Sequence, residues 1–221
     1  MASATQSFAL TKIQPPRARA SLVARERLEE RMTKAALARR LVLIAAPAGF
    51  GKTAALARLI EGGCTCRAVR FRLASRPLFV NCCHCTWCQR ESGTSFALNA
   101  MIESERVELL SGAPELVETP SASGAGQRIA RCQRCRVAVW SHYAGADDAI
   151  RFVRVGTLDE PGRLPPDIHI FTASKQPWVV LPPGTPAVPE YYDRKQYWPA
   201  ESLARRDAMR AKATGKEPPS S

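Results

Sequence analysis

The chain lacks any apolar run of the roughly 18–20 residues that a helical membrane span needs. Its longest run, "LVLIAAPAGF", is interrupted by Pro47 and Gly49. The N-terminus has no apolar core of the secretory type, so a cytoplasmic location is expected. Acids are missing from the first 25 residues, as in a transit peptide, but "QPPRARA" makes a poor amphipathic helix, which ranks organelle import below the cytoplasm. Aromatics are scarce where positive charge is densest. Residues 1–60 carry 11 basic and 3 acidic side chains but only Phe8 and Phe50 as aromatics. A nucleic-acid surface interleaves basic groups with stacking rings, so this excess reads as a solvated face and no nucleic-acid partner is expected. Residues 61–197 carry 16 basic and 14 acidic groups, close to balance within the net charge of +12.

Proline is plentiful instead, at 17 of 221 residues, which excludes a long helical bundle. Ser21–Arg40 reads as a helix with apolar positions at Ala24, Leu28, Met32 and Ala36. "LVLIAA" reads as a buried strand, and "GKTAALARLI" as a second helix ended by Gly62 and Gly63. From Cys64 onward short alternating runs separated by Gly, Pro, Ser and Asp read as strands: "AVRFRL", "LFVNC", "SFALNAMI", "VELLSG", "VAVWSHY" and "IRFVRVGTL". The proline-rich stretch from Pro165 to Asp193 reads as an excursion laid over that sheet. "ESLARRDAMRAKA" reads as a terminal helix, with Arg205, Arg206 and Arg210 on a solvated face.

"APAGFGKT", Ala46–Thr53, has the spacing of a phosphate-binding loop between a strand and a helix, which would put Gly51, Lys52 and Thr53 on a nucleotide. Together with "TKIQPPRARASLVARERL" it resembles the start of LuxR-type, maltose-regulator-like ATP-binding transcriptional activators. That resemblance stops near residue 60. One strand–helix unit cannot bury both faces of its strand or position a water for hydrolysis, so residues 1–60 are expected to be a remnant without ATPase activity.

Eight cysteines carry the stronger signal. Their close spacing suits metal ligation better than disulfides, which the cytosol keeps reduced. Cys64-x-Cys66 and Cys132-x-x-Cys135 form the natural set for a closed four-sulfur zinc site. Cys83, Cys85 and Cys88 can grip one face of a second zinc and leave its fourth position open, the catalytic arrangement. The register is not unique, because Cys82 or His84 could close that site. His142 and His169 read as satisfied structural histidines. Trp87, Phe96, Trp140 and Trp178 read as core or pocket wall.

These cysteines, with "GTLDEP" and "HIFTASKQPW", resemble the glutathione-dependent formaldehyde-activating enzyme family, shared with centromere protein V, over residues 62–193. The resemblance implies a mainly β, zinc-stapled antiparallel tent fold preceded by a short α/β segment. It implies domains at 1–60, 61–197 and 198–221, the last a helix and tail. It also implies two Zn²⁺ per chain: Cys64, Cys66, Cys132 and Cys135 holding a structural ion, and Cys83, Cys85 and Cys88 a catalytic one. The implied activity is that of a carbon–sulfur lyase joining the thiol of glutathione to formaldehyde, with Cys82 as a spectator and a small thiol or aldehyde as the partner. A zinc-stabilised scaffold of the centromere protein V kind is the alternative, and an ATP-binding regulator fragment a weaker one. Glutathione's carboxylates call for basic groups, for which Arg67, Arg90, Arg131, Arg134 and Arg136 are the candidates.

Overall fold

In a computed structural model of the chain, the described residues are 60–144 and 148–214. The proposed phosphate loop, Gly51, Lys52 and Thr53 included, lies outside them. From Glu61 on, the described residues pack as one unit. Among the described residues ten strands form two sheets, with few helices: the fold is mainly β. A three-stranded sheet runs in the order β1 (Ile60–Gly63), β2 (Arg70–Leu73), β5 (Val107–Ser111). A seven-stranded sheet runs β10 (Ile168–Ile170), β3 (Phe79–Cys83), β4 (Ala97–Glu103), β9 (Ile150–Arg154), β8 (Ala138–Tyr143), β7 (Gln127–Arg131), β6 (Glu115–Thr119). Among the described residues, no helix is long and apolar enough to cross a membrane.

The first correction concerns Gly62 and Gly63, which belong to β1 rather than ending a helix. A Cβ at Gly62 would meet the Thr157 carbonyl at 2.6 Å and the Phe71 ring at 2.9 Å. One at Gly63 would meet the Val69 carbonyl at 2.3 Å. These glycines permit close backbone approach within a strand. The second correction is β10. Ile168–Ile170 is not laid over the sheet but joins it, parallel to β3, with Ile170 opposite Cys83.

β3 is buried along its whole length, as a strand covered on both faces must be. Phe79, Met101, Ile150, Ile168, Ile170, Tyr192 and Trp198 form the adjoining apolar core. A chain of hydrogen bonds pins the C-terminal segment to β3: Trp198 Nε1 donates to Tyr192 Oη at 2.9 Å, and Tyr192 Oη to Asn81 Oδ1 at 2.9 Å. Helix α1 is Thr86–Ser92, α2 Arg194–Tyr197 and α3 Ala200–Thr214. Arg205 on α3 is not on a solvated face. It grips buried Glu103 of β4 through Nε at 2.9 Å and Nη2 at 2.6 Å.

Candidate metal centres and active site

Two tight turns bring four distant cysteines together. In the turn after β1, Val69 accepts from Cys64 N (3.1 Å), Cys64 O accepts from Arg67 N (3.0 Å), and Cys64 Sγ accepts from Val69 N (3.3 Å). In the turn after β7, Cys132 N donates to Val137 O (3.0 Å) and Arg136 N to Cys132 O (2.9 Å). Each turn closes on an arginine in the left-handed region, Arg67 at φ 61° and Arg136 at φ 60°. Arg136 thus adopts the conformation that glycine would adopt more cheaply, and its guanidinium meets Glu115 at 2.5 Å.

The ligating atoms of Cys64, Cys66, Cys132 and Cys135 all lie within 4.8 Å of one another. Sγ–Sγ distances are 3.5 Å for Cys64–Cys66 and 3.7 Å for Cys66–Cys132. Such gaps far exceed a disulfide bond but approach the roughly 3.8 Å that four sulfurs on one tetrahedral zinc require. Cys135 is lowered to about 6 by the N–H groups of Cys66 and Val137. The donor set therefore fits a closed Zn²⁺ site.

Cys83, Cys85 and Cys88 form the second group, also within 4.8 Å. Cys83 ends β3, while Cys85 caps α1, its Sγ accepting from Cys88 N at 3.3 Å. Thiol donation from Cys83 and Cys88, then the N–H groups of Cys88 and Trp87, hold Cys85 down to about 2. The same sharing pushes Cys83 upward. One thiolate with two thiols donating to it is a converging sulfur set that a soft cation such as zinc would occupy by displacing the two remaining protons.

His84 and Cys82 do not join this group. They turn to the other side of β3, where His84 Nε2 lies 3.0 Å from His169 Nδ1 and 3.6 Å from Cys82 Sγ, all three residues buried. Burial pushes the pKa of both imidazoles down. The "HIFTASKQPW" segment acts as a strap on the cysteine loop. His84 N donates to Ile170 O (3.0 Å), and the His84 carbonyl accepts from Ser174 Oγ (3.0 Å) and Gln89 Nε2 (2.6 Å). Gln176 Nε2 in turn donates to Gln89 Oε1 at 2.7 Å.

A cavity of about 430 Å³ opens beside Cys83, Cys85 and Cys88, with Trp87, Tyr143 and Phe152 among its walls. Burial, then the charge at Cys88, raises the Tyr143 pKa, so its phenol keeps its proton. The Phe152 ring meets Tyr143 edge-on at 4.7 Å. Arg154 reaches into this cavity with both terminal nitrogens bonded: Nη1 donates to Asn99 Oδ1 at 2.6 Å, and Nη2 to Glu91 Oε2 at 2.9 Å and Ser141 Oγ at 3.1 Å. The other Glu91 oxygen binds Arg131.

None of the five arginines singled out from the sequence lines this cavity; Arg154 and Arg194 do. The signal for Arg194 was faint, a cation following the aromatic pair Tyr191–Tyr192. Glu91, Tyr143 and Gln127 also border the cavity and escaped sequence reasoning. His142 sits away from the cysteines, near Asp148 at 3.7 Å. Trp140 is core, Trp87 is cavity wall, and Phe96 packs on His84 at 5.5 Å. Trp178 is neither, being 71% exposed on the strap.

Residues 59–174 match the family described as glutathione-dependent formaldehyde-activating enzyme. A Halomonas elongata protein, named as a candidate glutathione-dependent formaldehyde-activating enzyme, is 30% identical over 130 residues, covering 56% of this chain and 81% of its own length. A solved Rhodobacter sphaeroides protein structure overlaps 45% of this chain and 87% of its own, at 18% identity and a TM-score of 0.34.

Proposed function

The chain belongs to the glutathione-dependent formaldehyde-activating enzyme family, and from that premise we propose that it makes and breaks a thiol–aldehyde adduct, S-hydroxymethylglutathione or a close relative, as a carbon–sulfur lyase. The observation that carries this reading is the cavity opening on Cys83, Cys85 and Cys88 while Cys82 and His84 face His169 instead. A scaffold role with a capped second site would need one of those two side chains turned toward the three cysteines.

Cys83, Cys85 and Cys88 would hold the catalytic zinc, and Cys64, Cys66, Cys132 and Cys135 the structural one. Zinc bound at the three-cysteine site supplies a cation that lowers the pKa of an added thiol. The protein's own groups do the rest. The strap fixes the cysteine loop, and Trp87 and Phe152 give the cavity apolar walls. In the forward direction the thiolate sulfur bonds to the aldehyde carbon, and the carbonyl π pair moves to oxygen. Tyr143 donates its O–H proton to that oxygen, giving the hydroxyl of the hydroxymethyl adduct, and the proton that the thiol released to solvent returns to Tyr143, so that no net proton is gained or lost. The reverse sequence cleaves the carbon–sulfur bond.

Residues 61–197 would form the catalytic domain, 198–221 a helix and tail, and 1–60 a remnant of a phosphate-loop protein. Eight free cysteines suit a reducing cytoplasm. The test titrates glutathione and formaldehyde into zinc-loaded protein and follows adduct exchange by NMR. Exchange should exceed that of a Cys85→Ala control, and equal rates would refute the reading. An ATP affinity unchanged by Lys52→Ala is the expected result for the remnant, and a loss of tight binding would contradict it.

A further inference from the structure

Resting on the thiol–aldehyde reading above, we propose that Arg194 and Gln127 form a recognition subsite for a thiol that also bears a carboxylate and an N–H donor. Both residues line the cavity that opens on the three cysteines. Among the described lining residues, they carry the buried side-chain polar atoms that have no hydrogen-bond partner. Arg154 has its guanidinium committed to Asn99, Glu91 and Ser141. Glu91, the only carboxylate in the lining among the described residues, has one oxygen on Arg154 and the other on Arg131. Ser121 and Ser123 bond each other at 3.0 Å.

Arg194 differs. It makes no ion pair among the described residues, and its Nε is buried without a partner. Asp193, the adjacent acid, is turned to the backbone, where it accepts from Lys195 N at 3.0 Å as the cap of α2. The guanidinium is held by rings rather than by a carboxylate: its Cζ lies 5.7 Å from the Tyr191 centroid and 6.0 Å from that of Trp198. Positive charge also gathers behind it. Burial, then Arg194 and Arg210, push the pKa of Arg206 on α3 down. A planar cation on an aromatic platform, with no acid of its own, presents a fork suited to a carboxylate.

Gln127 supplies the opposite polarity. It is 7% exposed, its Nε2 donates to Pro120 O at 3.4 Å, and its Oε1 has no partner among the described residues. A buried carbonyl oxygen left unpaired is costly, and an amide or ammonium N–H from a ligand would satisfy it. Sulfur at the cysteines, carboxylate at Arg194 and N–H at Gln127 describe a cysteinyl compound. A plain alkyl thiol would leave both groups unspent.

Binding of three ligands to zinc-loaded protein tests this by isothermal titration. N-acetylcysteine has all three features, 3-mercaptopropionate lacks the N–H, and 2-mercaptoethanol has the thiol alone. Arg194→Met should weaken N-acetylcysteine and 3-mercaptopropionate by about 10- to 100-fold, the usual effect of losing a charged hydrogen bond, and leave 2-mercaptoethanol within twofold. Gln127→Leu should weaken N-acetylcysteine alone. Equal effects of Arg194→Met on all three ligands, or none on any, would overturn the subsite. If 2-mercaptoethanol does not bind the wild-type protein, the thiol chemistry fails on its own account. The subsite is then decided by a chemical-shift titration with N-acetylalanine, which has the carboxylate and amide but no sulfur. Binding that Arg194→Met abolishes supports it, and no binding refutes it.

Discussion

Glu91 joins the two cysteine groups, and replacing it with glutamine should damage both. Its carboxylate on α1 is 11% exposed and bridges Arg154, also 11% exposed, and Arg131, 27% exposed. Arg131 immediately precedes Cys132, and Glu91 lies one turn past Cys88. Removing one partner of a buried pair costs about 3–5 kcal/mol because the remaining charge stays desolvated. Glutamine keeps one acceptor oxygen for one of the arginines, and Arg131 is partly solvated. Both facts lower the expected loss to about 2–3 kcal/mol. For a unit of this size, each kcal/mol moves Tm by about 2–4 °C, so Glu91→Gln should lower Tm by about 4–12 °C in zinc-loaded protein. The assay is thermal unfolding followed by circular dichroism, repeated on Arg154→Met and on the double variant. The double variant should lose less than the sum of the single losses, since no charge at 154 or 91 is then left buried opposite a missing partner. A Tm within about 1 °C of wild type for Glu91→Gln, or strict additivity, would refute the bridge.

Cys132→Ser should reduce bound zinc from two ions to one and unfold at lower temperature, measured by metal analysis and calorimetry. Retention of two ions would contradict the four-sulfur site. Tyr143→Phe should lower the adduct exchange rate by about 100- to 10,000-fold while thiol affinity holds; an unchanged rate would remove Tyr143 from proton donation. His142 is lowered below its usual value by burial, then by the charges of Arg151 and Arg128, and the nearby Asp148 carboxylate is itself held by Arg128. Its folded pKa lies below the unfolded 6.5, so the unfolded chain binds more protons and stability falls as pH drops below about 6.5. His142→Gln should therefore shrink the loss of urea midpoint between pH 7.5 and 5.5. An equal loss in both proteins would show that other groups carry it.

What could be read in advance follows from where each signal resides. The cysteine groups were legible because a metal-binding turn is written in two to six adjacent residues. Most strands were legible because alternation is local too. Gly62–Gly63 misled because a glycine pair means helix stop or close-packed strand according to what lies across it, here Phe71 on the neighbouring strand and Thr157 far along the chain. β10 was hidden because three residues, Ile168–Ile170, carry too short a pattern among prolines. Arg154, Arg194, Gln127 and Glu91 were hidden because a cavity gathers its lining from separate strands and helices. Among many arginines, composition cannot tell the one whose carboxylate is missing.

The strap that holds the cysteine loop has a consequence in time as well as in space. His84 meets His169 across 85 positions and Ser174 across 90. During synthesis, then, the three thiols of Cys83, Cys85 and Cys88 leave the ribosome well before the segment that fixes their loop has been made. The β3–β4 hairpin can form early, but its parallel neighbour β10 arrives much later and closes a long loop. For that interval the three thiols are unclamped, and the last third of the polypeptide serves as the latch on a cysteine loop laid down in its middle.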